Sequence, residues 1–183
     1  MSLDKDVERV LVSEEEIKEI CRRLGEEISR DYKGKKLLLV SVLKGAVVFM
    51  ADLMRSITCD CEIDFMSVSS YSGTKTTGVV KFKKDLDIDP DGMDILIVED
   101  ILDSGVTLSY LSSVLMGRNA ASIKICTLLD KPANRKADIK ADYVGQVVPD
   151  AFIIGYGLDY NEKYRNLPYI GILSPSAYEQ KGE

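Results

Sequence analysis

The sequence predicts an α/β domain built on a mainly parallel central sheet, and three observations carry that prediction. Residues 37–43, Leu-Leu-Leu-Val-Ser-Val-Leu, form a nearly unbroken apolar run of strand length, the pattern of a strand covered on both faces. A Lys44-Gly45 break and a segment of helical apolar spacing follow, and strands go on alternating with helices down the chain. The composition permits such a core: 183 residues, 45% hydrophobic and 30% charged, with 13 Gly and 5 Pro, suit one globular domain and exclude disordered, collagen-like and low-complexity chains.

The elements are justified in turn. Ser13 and Glu16 have the spacing of a capping box, and Ile17, Ile20, Cys21, Leu24 and Ile28 then share one helical face, so a half-buried helix is expected, ended near Gly34. The buried strand comes next, then a helix over 46–57. Residues 61–68 read as a strand and 79–83 as a shorter, alternating one. Between them the polar, glycine-punctuated stretch 69–78 is long for a hairpin, and Gly73 and Gly78 suit the hinges of a lid. Asp89-Pro90-Asp91-Gly92 is a turn before a strand over 94–98. A helix over about 106–117 and strands over 123–128, 143–147 and 152–155 complete the reading. Cys59 and Cys61, at alternate positions on one strand face, read as packing residues.

Charge and residue usage narrow the function. Lys and Arg number 24 against 30 Asp and Glu, a net charge of −6, which argues against a nucleic-acid partner bound through a broad basic face. Histidine is absent, so Ser–His and Cys–His nucleophile pairs and histidine zinc sites are excluded. The four cysteines form no C-x-x-C, no secretory signal is visible, and no apolar run reaches the ~20 residues of a membrane span. A soluble, cytoplasmic protein without a membrane partner is expected.

The chemistry concentrates in Glu99-Asp100-Ile101-Leu102-Asp103-Ser104-Gly105-Val106-Thr107. A buried strand ends in carboxylates and turns through Ser-Gly into a helix start, whose free amides, with Ser104 and Thr107 hydroxyls beside them, make an anion cradle. Carboxylates beside such a cradle suit sugar hydroxyls or a divalent cation, so a phosphorylated sugar with Mg2+ meets both needs. The plainer reading is that Asp100 and Asp103 merely cap the helix. Neither the P-loop pattern nor G-x-G-x-x-G is present.

This string resembles the phosphoribosyl-pyrophosphate signature of the type I phosphoribosyltransferases. In-order matches extend over nearly the whole chain: Leu43-Lys44-Gly45, Ser70-Tyr71, the signature, Lys131 after Leu128-Leu129-Asp130, the block from Phe152 to Glu162, and Arg165. Lys131 and that last block are similar to the bacterial branch acting on 6-oxopurines. The resemblance implies a central, mainly parallel twisted sheet flanked by helices, with a small hood and a flexible active-site loop. It implies one domain over 1–183, with its core about 34–150 and the hood drawn from both terminal segments. The implied reaction is transfer of the 5-phosphoribosyl group from phosphoribosyl pyrophosphate to hypoxanthine or guanine, giving IMP or GMP and pyrophosphate, with Mg2+ as cofactor, in a homodimer or homotetramer.

Residue roles follow from the same resemblance. Asp103 is implied as general base at purine N7, with Ser104, Gly105, Val106 and Thr107 around the 5-phosphate. Glu99 and Asp100 meet the ribose hydroxyls and, with Asp159, gather the metal. Lys44, Gly45 and Arg165 meet pyrophosphate, with a cis peptide at Leu43-Lys44. Lys131 donates to the purine O6, Phe152 stacks on the ring, backbone groups of Phe152 and Ile153 meet its remaining edge, and Ser70-Tyr71 closes over the site. Taken singly, Asp159 reads as a turn residue, Arg165 as a solvated arginine, Lys131 as a surface lysine and Phe152 as a core aromatic. Three alternatives stay open: a non-catalytic sensor of phosphoribosyl pyrophosphate, a xanthine-preferring transferase, and a generic α/β phosphate-binding domain.

Overall fold

The computed structural model describes residues 3–70 and 80–177. The chain runs through β1 (Val7–Val12), α1 (Glu14–Asp31), β2 (Leu37–Val42), α2 (Val47–Ser56), β3 (Cys61–Ser70), β4 (Val80–Lys84), β5 (Asp94–Leu102), α3 (Val106–Met116), β6 (Ser122–Asp130), β7 (Tyr143–Val147), β8 (Ile153–Ile154) and β9 (Ile170–Leu173). Six strands form a central sheet in the order β4-β3-β2-β5-β6-β7. Its pairings are parallel except for β4, which lies antiparallel on β3 at one edge.

The continuous apolar runs are explained by burial on both faces. Leu37, Leu39, Leu96 and Val98 pack with Ile17, Leu24, Phe49 and Leu53 from α1 and α2. Leu38, Val40, Ile95 and Ile97, pointing the other way, pack with Leu108, Leu111 and Leu115 from α3. The capping box forms as expected: the Glu16 amide donates to Ser13 Oγ at 3.3 Å and the Ser13 amide to Glu16 Oε2 at 2.7 Å.

This strand order positions the site. From β2 the chain moves to β3 on one side and returns on the other as β5, so the order reverses between β2 and β5. The crevice beyond the carboxyl ends of two such strands is where α/β sheets bind ligands. Here those ends carry Leu43-Lys44-Gly45 and the Glu99–Thr107 string. The Leu43-Lys44 peptide is cis.

Several expectations need correction. β5 runs to Leu102 instead of ending at Val98, because β6 continues alongside it and pairs Ile101 with Leu129 and Leu102 with Asp130. The strand expected over 152–155 is only Ile153–Ile154, and it belongs to a second sheet, β1-β9-β8, whose β1 and β9 carry weak signals in the sequence. Antiparallel pairing joins these terminal strands, and Tyr164 Oη fastens the segment by donating to Asp6 at 2.6 Å. Cys59 lies just before β3 and only Cys61 is in it, although both are part-buried against the core as packing residues. Ser70 closes β3 as backbone, whereas Tyr71, Gly73 and Gly78 of the expected lid lie outside the described residues. Among the described residues no helix is long and apolar enough to cross a membrane.

Candidate active site

The β5–α3 junction is a strand-to-helix turn through Ser104 and Gly105. Gly105 is the residue before α3, with φ at +76°, and a Cβ there would stand 2.5 Å from the Ile139 side chain, so glycine is required on both counts. Among the described residues no side chain caps α3, so neither Asp100 nor Asp103 does the capping that the plainer reading assigned to them. The first amides of a helix have no intrahelical acceptor, and an anion is a suitable partner for them. A cavity of about 160 Å³ opens here, lined by Glu99, Ile101, Asp103, Ser104, Gly105 and Thr107 among others. Val106, on the first turn of the helix, is exposed. A larger groove of about 580 Å³ lies elsewhere, beside Asp87 and Arg118, but the Arg118 guanidinium is committed to Asp85 and nothing reactive converges there.

The opposite wall comes from the β2–α2 turn and the loop after β8. A Cβ on Gly45 would stand 1.9 Å from Asp100 Oδ2, and one on Gly157 would stand 2.1 Å from the Gly45 carbonyl, so two backbone segments and the Asp100 carboxylate meet where only glycine fits. Arg165 donates to the Gly157 carbonyl at 2.7 Å and pairs with Asp159 at 2.8 Å. Its Nε is buried without a partner among the described residues. Lys44 reaches Glu162 at 3.1 Å, an exposed pair of little energetic weight. Lys44, Gly45, Asp159 and Arg165, far apart in sequence, are thus gathered on one wall.

Lys131 and Asp103 meet at the end of β6. The Lys131 ammonium is nearly buried, 3.9 Å from Asp103, 3.0 Å from Asp150 and 3.2 Å from the Ala151 carbonyl. Asp103 Oδ1 is buried without a hydrogen-bond partner among the described residues. Phe152 is 44% exposed, enough to offer a ring face, and the Tyr160 ring meets it edge-on at 5.2 Å. The Phe152 carbonyl accepts from the Leu173 amide at 2.8 Å, because β9 lies alongside, and Ile153 stands in register opposite Ile172.

A family model described as a phosphoribosyl transferase domain matches residues 11–161. The chain belongs to the phosphoribosyl transferase family. The hypoxanthine-guanine phosphoribosyltransferase of Bacillus subtilis is 59% identical over 175 residues, covering 95% of this chain and 97% of that one. A hypoxanthine phosphoribosyltransferase of Staphylococcus aureus shares the architecture with a TM-score of 0.93 at 51% identity, covering 96% of each chain. A hypoxanthine-guanine phosphoribosyltransferase of Bacillus anthracis, solved with a HEPES molecule in its active site, gives 0.87 at 48% identity over 91% of this chain and 99% of that one. The fold is the type I phosphoribosyltransferase fold, its mainly parallel sheet flanked by helices.

For a phosphoribosyl transferase, the acidic pair at the end of β5 is the place to test a metal. Glu99 Oε2 is buried without a partner among the described residues, and burial, then the adjacent Asp100 charge, pushes the Glu99 carboxyl well up. Burial also pushes Asp100 up, against the pull of the Ile101 amide and the Arg165 guanidinium. Two crowded carboxylates with a bare oxygen suit a cation. Among the described residues, however, no three acidic or thiol groups converge to hold an ion alone, and Asp159 is turned to Arg165 and the Glu162 amide. The donor set therefore fits Mg2+, which keeps much of its shell as water and substrate oxygens and takes one or two carboxylates.

Sequence reading missed Arg135, Asp150 and Tyr160. Arg135 bonds the Asp103 and Leu102 carbonyls, 32 and 33 residues away, and no local pattern signals such contacts. Asp150 is recognisable only through Lys131, and Tyr160 only through the ring it supports.

Proposed function

We propose that this transferase moves the 5-phosphoribosyl group from phosphoribosyl pyrophosphate to hypoxanthine or guanine, giving IMP or GMP and pyrophosphate. The observation that carries the reading is the approach of the buried Lys131 ammonium to 3.9 Å from Asp103 Oδ2, while Asp103 Oδ1 has no hydrogen-bond partner among the described residues. An acceptor and a donor so placed match N7–H and O6, which lie side by side on one edge of a 6-oxopurine. The names of the similar proteins point to the same substrates.

In this reading the cradle of Ser104, Gly105, Val106 and Thr107 holds the 5-phosphate, while Glu99 and Asp100 accept from the ribose hydroxyls. Lys44, Gly45 and Arg165 hold pyrophosphate, the arginine fork suiting two phosphate oxygens at once. The bond from ribose C1 to the pyrophosphate oxygen breaks with its electron pair leaving on pyrophosphate, through an oxocarbenium-like state, and the purine ring nitrogen forms the new bond to C1. Asp103 takes the proton that the base sheds at N7. Lys131 donates to O6, and a 6-amino group would set donor against donor. Glu99, Asp100 and Asp159 are the residues that would hold Mg2+, which when bound neutralises charge on the leaving group. Ser70-Tyr71 belongs to this reading as the cover that excludes water. A homodimer or homotetramer working in the cytoplasm completes it, consistent with four free cysteines.

Two variants test the assignment. Asp103→Asn is expected to lower kcat by about 100-fold or more, the usual weight of general base catalysis, with KM values nearly unchanged. A comparable kcat would remove Asp103 from the role. Lys131→Ala should weaken use of hypoxanthine and guanine together, and unaltered kinetics with both bases would count against this pocket.

A further inference from the structure

A second arginine, outside the signature, holds the signature's backbone. Arg135 Nε donates to the Asp103 carbonyl at 2.8 Å, Nη1 to the Ile139 carbonyl at 2.8 Å and Nη2 to the Leu102 carbonyl at 3.1 Å. The same guanidinium pairs with the Asp130 carboxylate. Neighbouring amides finish the pattern: Lys131 donates to the Leu102 carbonyl at 3.0 Å, and Lys136 and Ala137 donate to the Ser104 carbonyl at 2.9 and 3.1 Å.

The carbonyls of three consecutive residues, Leu102, Asp103 and Ser104, are thus all turned toward segment 131–137. In a trans peptide the N–H points opposite to the C=O, so the amides of Asp103, Ser104 and Gly105 turn the other way. Those three residues line the cavity at the start of α3. Asp130 adds a second link, since it precedes Lys131 and pairs in register with Leu102. One guanidinium therefore ties the strand end bearing the proposed base-reading lysine to the loop bearing the proposed base.

We propose that Arg135 is a positioning residue for phosphoribosyl transfer. It orients the peptides of 103–105 so that they form the phosphate cradle. The proposal rests on the reading of this junction as a 5-phosphate site. Lysine cannot substitute, because a compact ammonium does not reproduce a planar fork reaching three carbonyls and a carboxylate. The Arg135 side chain is 17% exposed, so the carbonyls it leaves would be poorly compensated by water.

The test compares full-length wild type with Arg135→Lys, Arg135→Met and Asp130→Asn for melting temperature, affinity for GMP and for guanosine, and kcat against KM. Arg135→Lys is expected to melt at a lower temperature than wild type but to remain folded at assay temperature and bind guanosine equally well. It should bind GMP about tenfold more weakly, the scale of one lost hydrogen bond to a well-held anion, and turn over more slowly. Asp130→Asn, which removes one anchor of the guanidinium, should show the same selective loss in smaller measure and decides the matter if Arg135→Met does not fold. GMP affinity and kcat at wild-type values in the folded variants would overturn the proposal. So would equal losses for GMP and guanosine, which mark a general collapse of the site. A wild-type protein that does not prefer GMP to guanosine would overturn the phosphate-site reading first, and this proposal with it.

Discussion

Gly45 shows how tightly individual residues are set at the site. With 1.9 Å between the position an added methyl would take and Asp100 Oδ2, Gly45→Ala must displace either the turn or the carboxylate. It is expected to cost about 1–3 kcal/mol of stability, as overpacking does, and most of the activity. Denaturant titration and steady-state rates check this, and a variant matching wild type in both would show that the contact yields freely. Residues of this kind were legible where they belong to a contiguous string: Asp103, Gly105 and Thr107 could be read because strand, turn and helix signals meet there. Arg165 and Asp159 were assigned only through resemblance, since a lone arginine beside a glycine-rich turn carries no sign of the wall it joins. Arg135 was invisible because its meaning lies in carbonyls more than thirty residues away.

Among the elements, β2 and β5 were the most legible, because burial on both faces leaves no polar alternation and the chain can write it as continuous apolar sequence. That burial has a testable weight: Leu96, fully buried in β5, is expected to cost about 2–5 kcal/mol on replacement by alanine, read as a shift in the denaturation midpoint. β1 and β9 were not legible. Their pairing partners lie at opposite ends of the chain, and strands of six and four residues carry little periodic signal of their own.

The connection from β4 to β5 depends on Asp64 in β3. Its carboxylate accepts from the amides of Phe65 at 2.6 Å, Asp87 at 2.7 Å and Ile88 at 2.9 Å, and from Lys84 at 3.3 Å. Burial pushes its carboxyl up, but the Ile88, Phe65 and Asp87 amides and Lys84 outweigh burial, and the net shift is downward. A carboxyl lowered in the folded state adds stability above its unfolded pKa and loses it as pH falls through the folded one. Asp64→Asn should therefore cost about 2 kcal/mol at pH 7, the scale of hydrogen bonds to a charged group, with the gap from wild type closing in acid below 3.8. A gap that stays constant from pH 7 down to acid would contradict the argument.

Across the whole molecule, a chain of net charge −6 gathers Lys44, Lys131, Arg135 and Arg165 around the carboxyl ends of β2, β5 and β6, so cationic side chains concentrate there on an otherwise acidic protein. The strand order explains the gathering: reversal between β2 and β5 opens the crevice, and the loop after β8 closes its far side. The expected class of fold was readable from the alternation of strands and helices, whereas the antiparallel sheet of the terminal strands emerges only from tertiary pairing. The most direct measurement is a spectrophotometric assay of the purified protein with phosphoribosyl pyrophosphate, Mg2+ and, in turn, hypoxanthine, guanine, xanthine, adenine and uracil. Nucleotide should form from hypoxanthine and guanine, with adenine and uracil inert. Turnover of adenine or uracil at a similar rate, or none with any base, would contradict a site that reads a 6-oxo group beside an activated ribose.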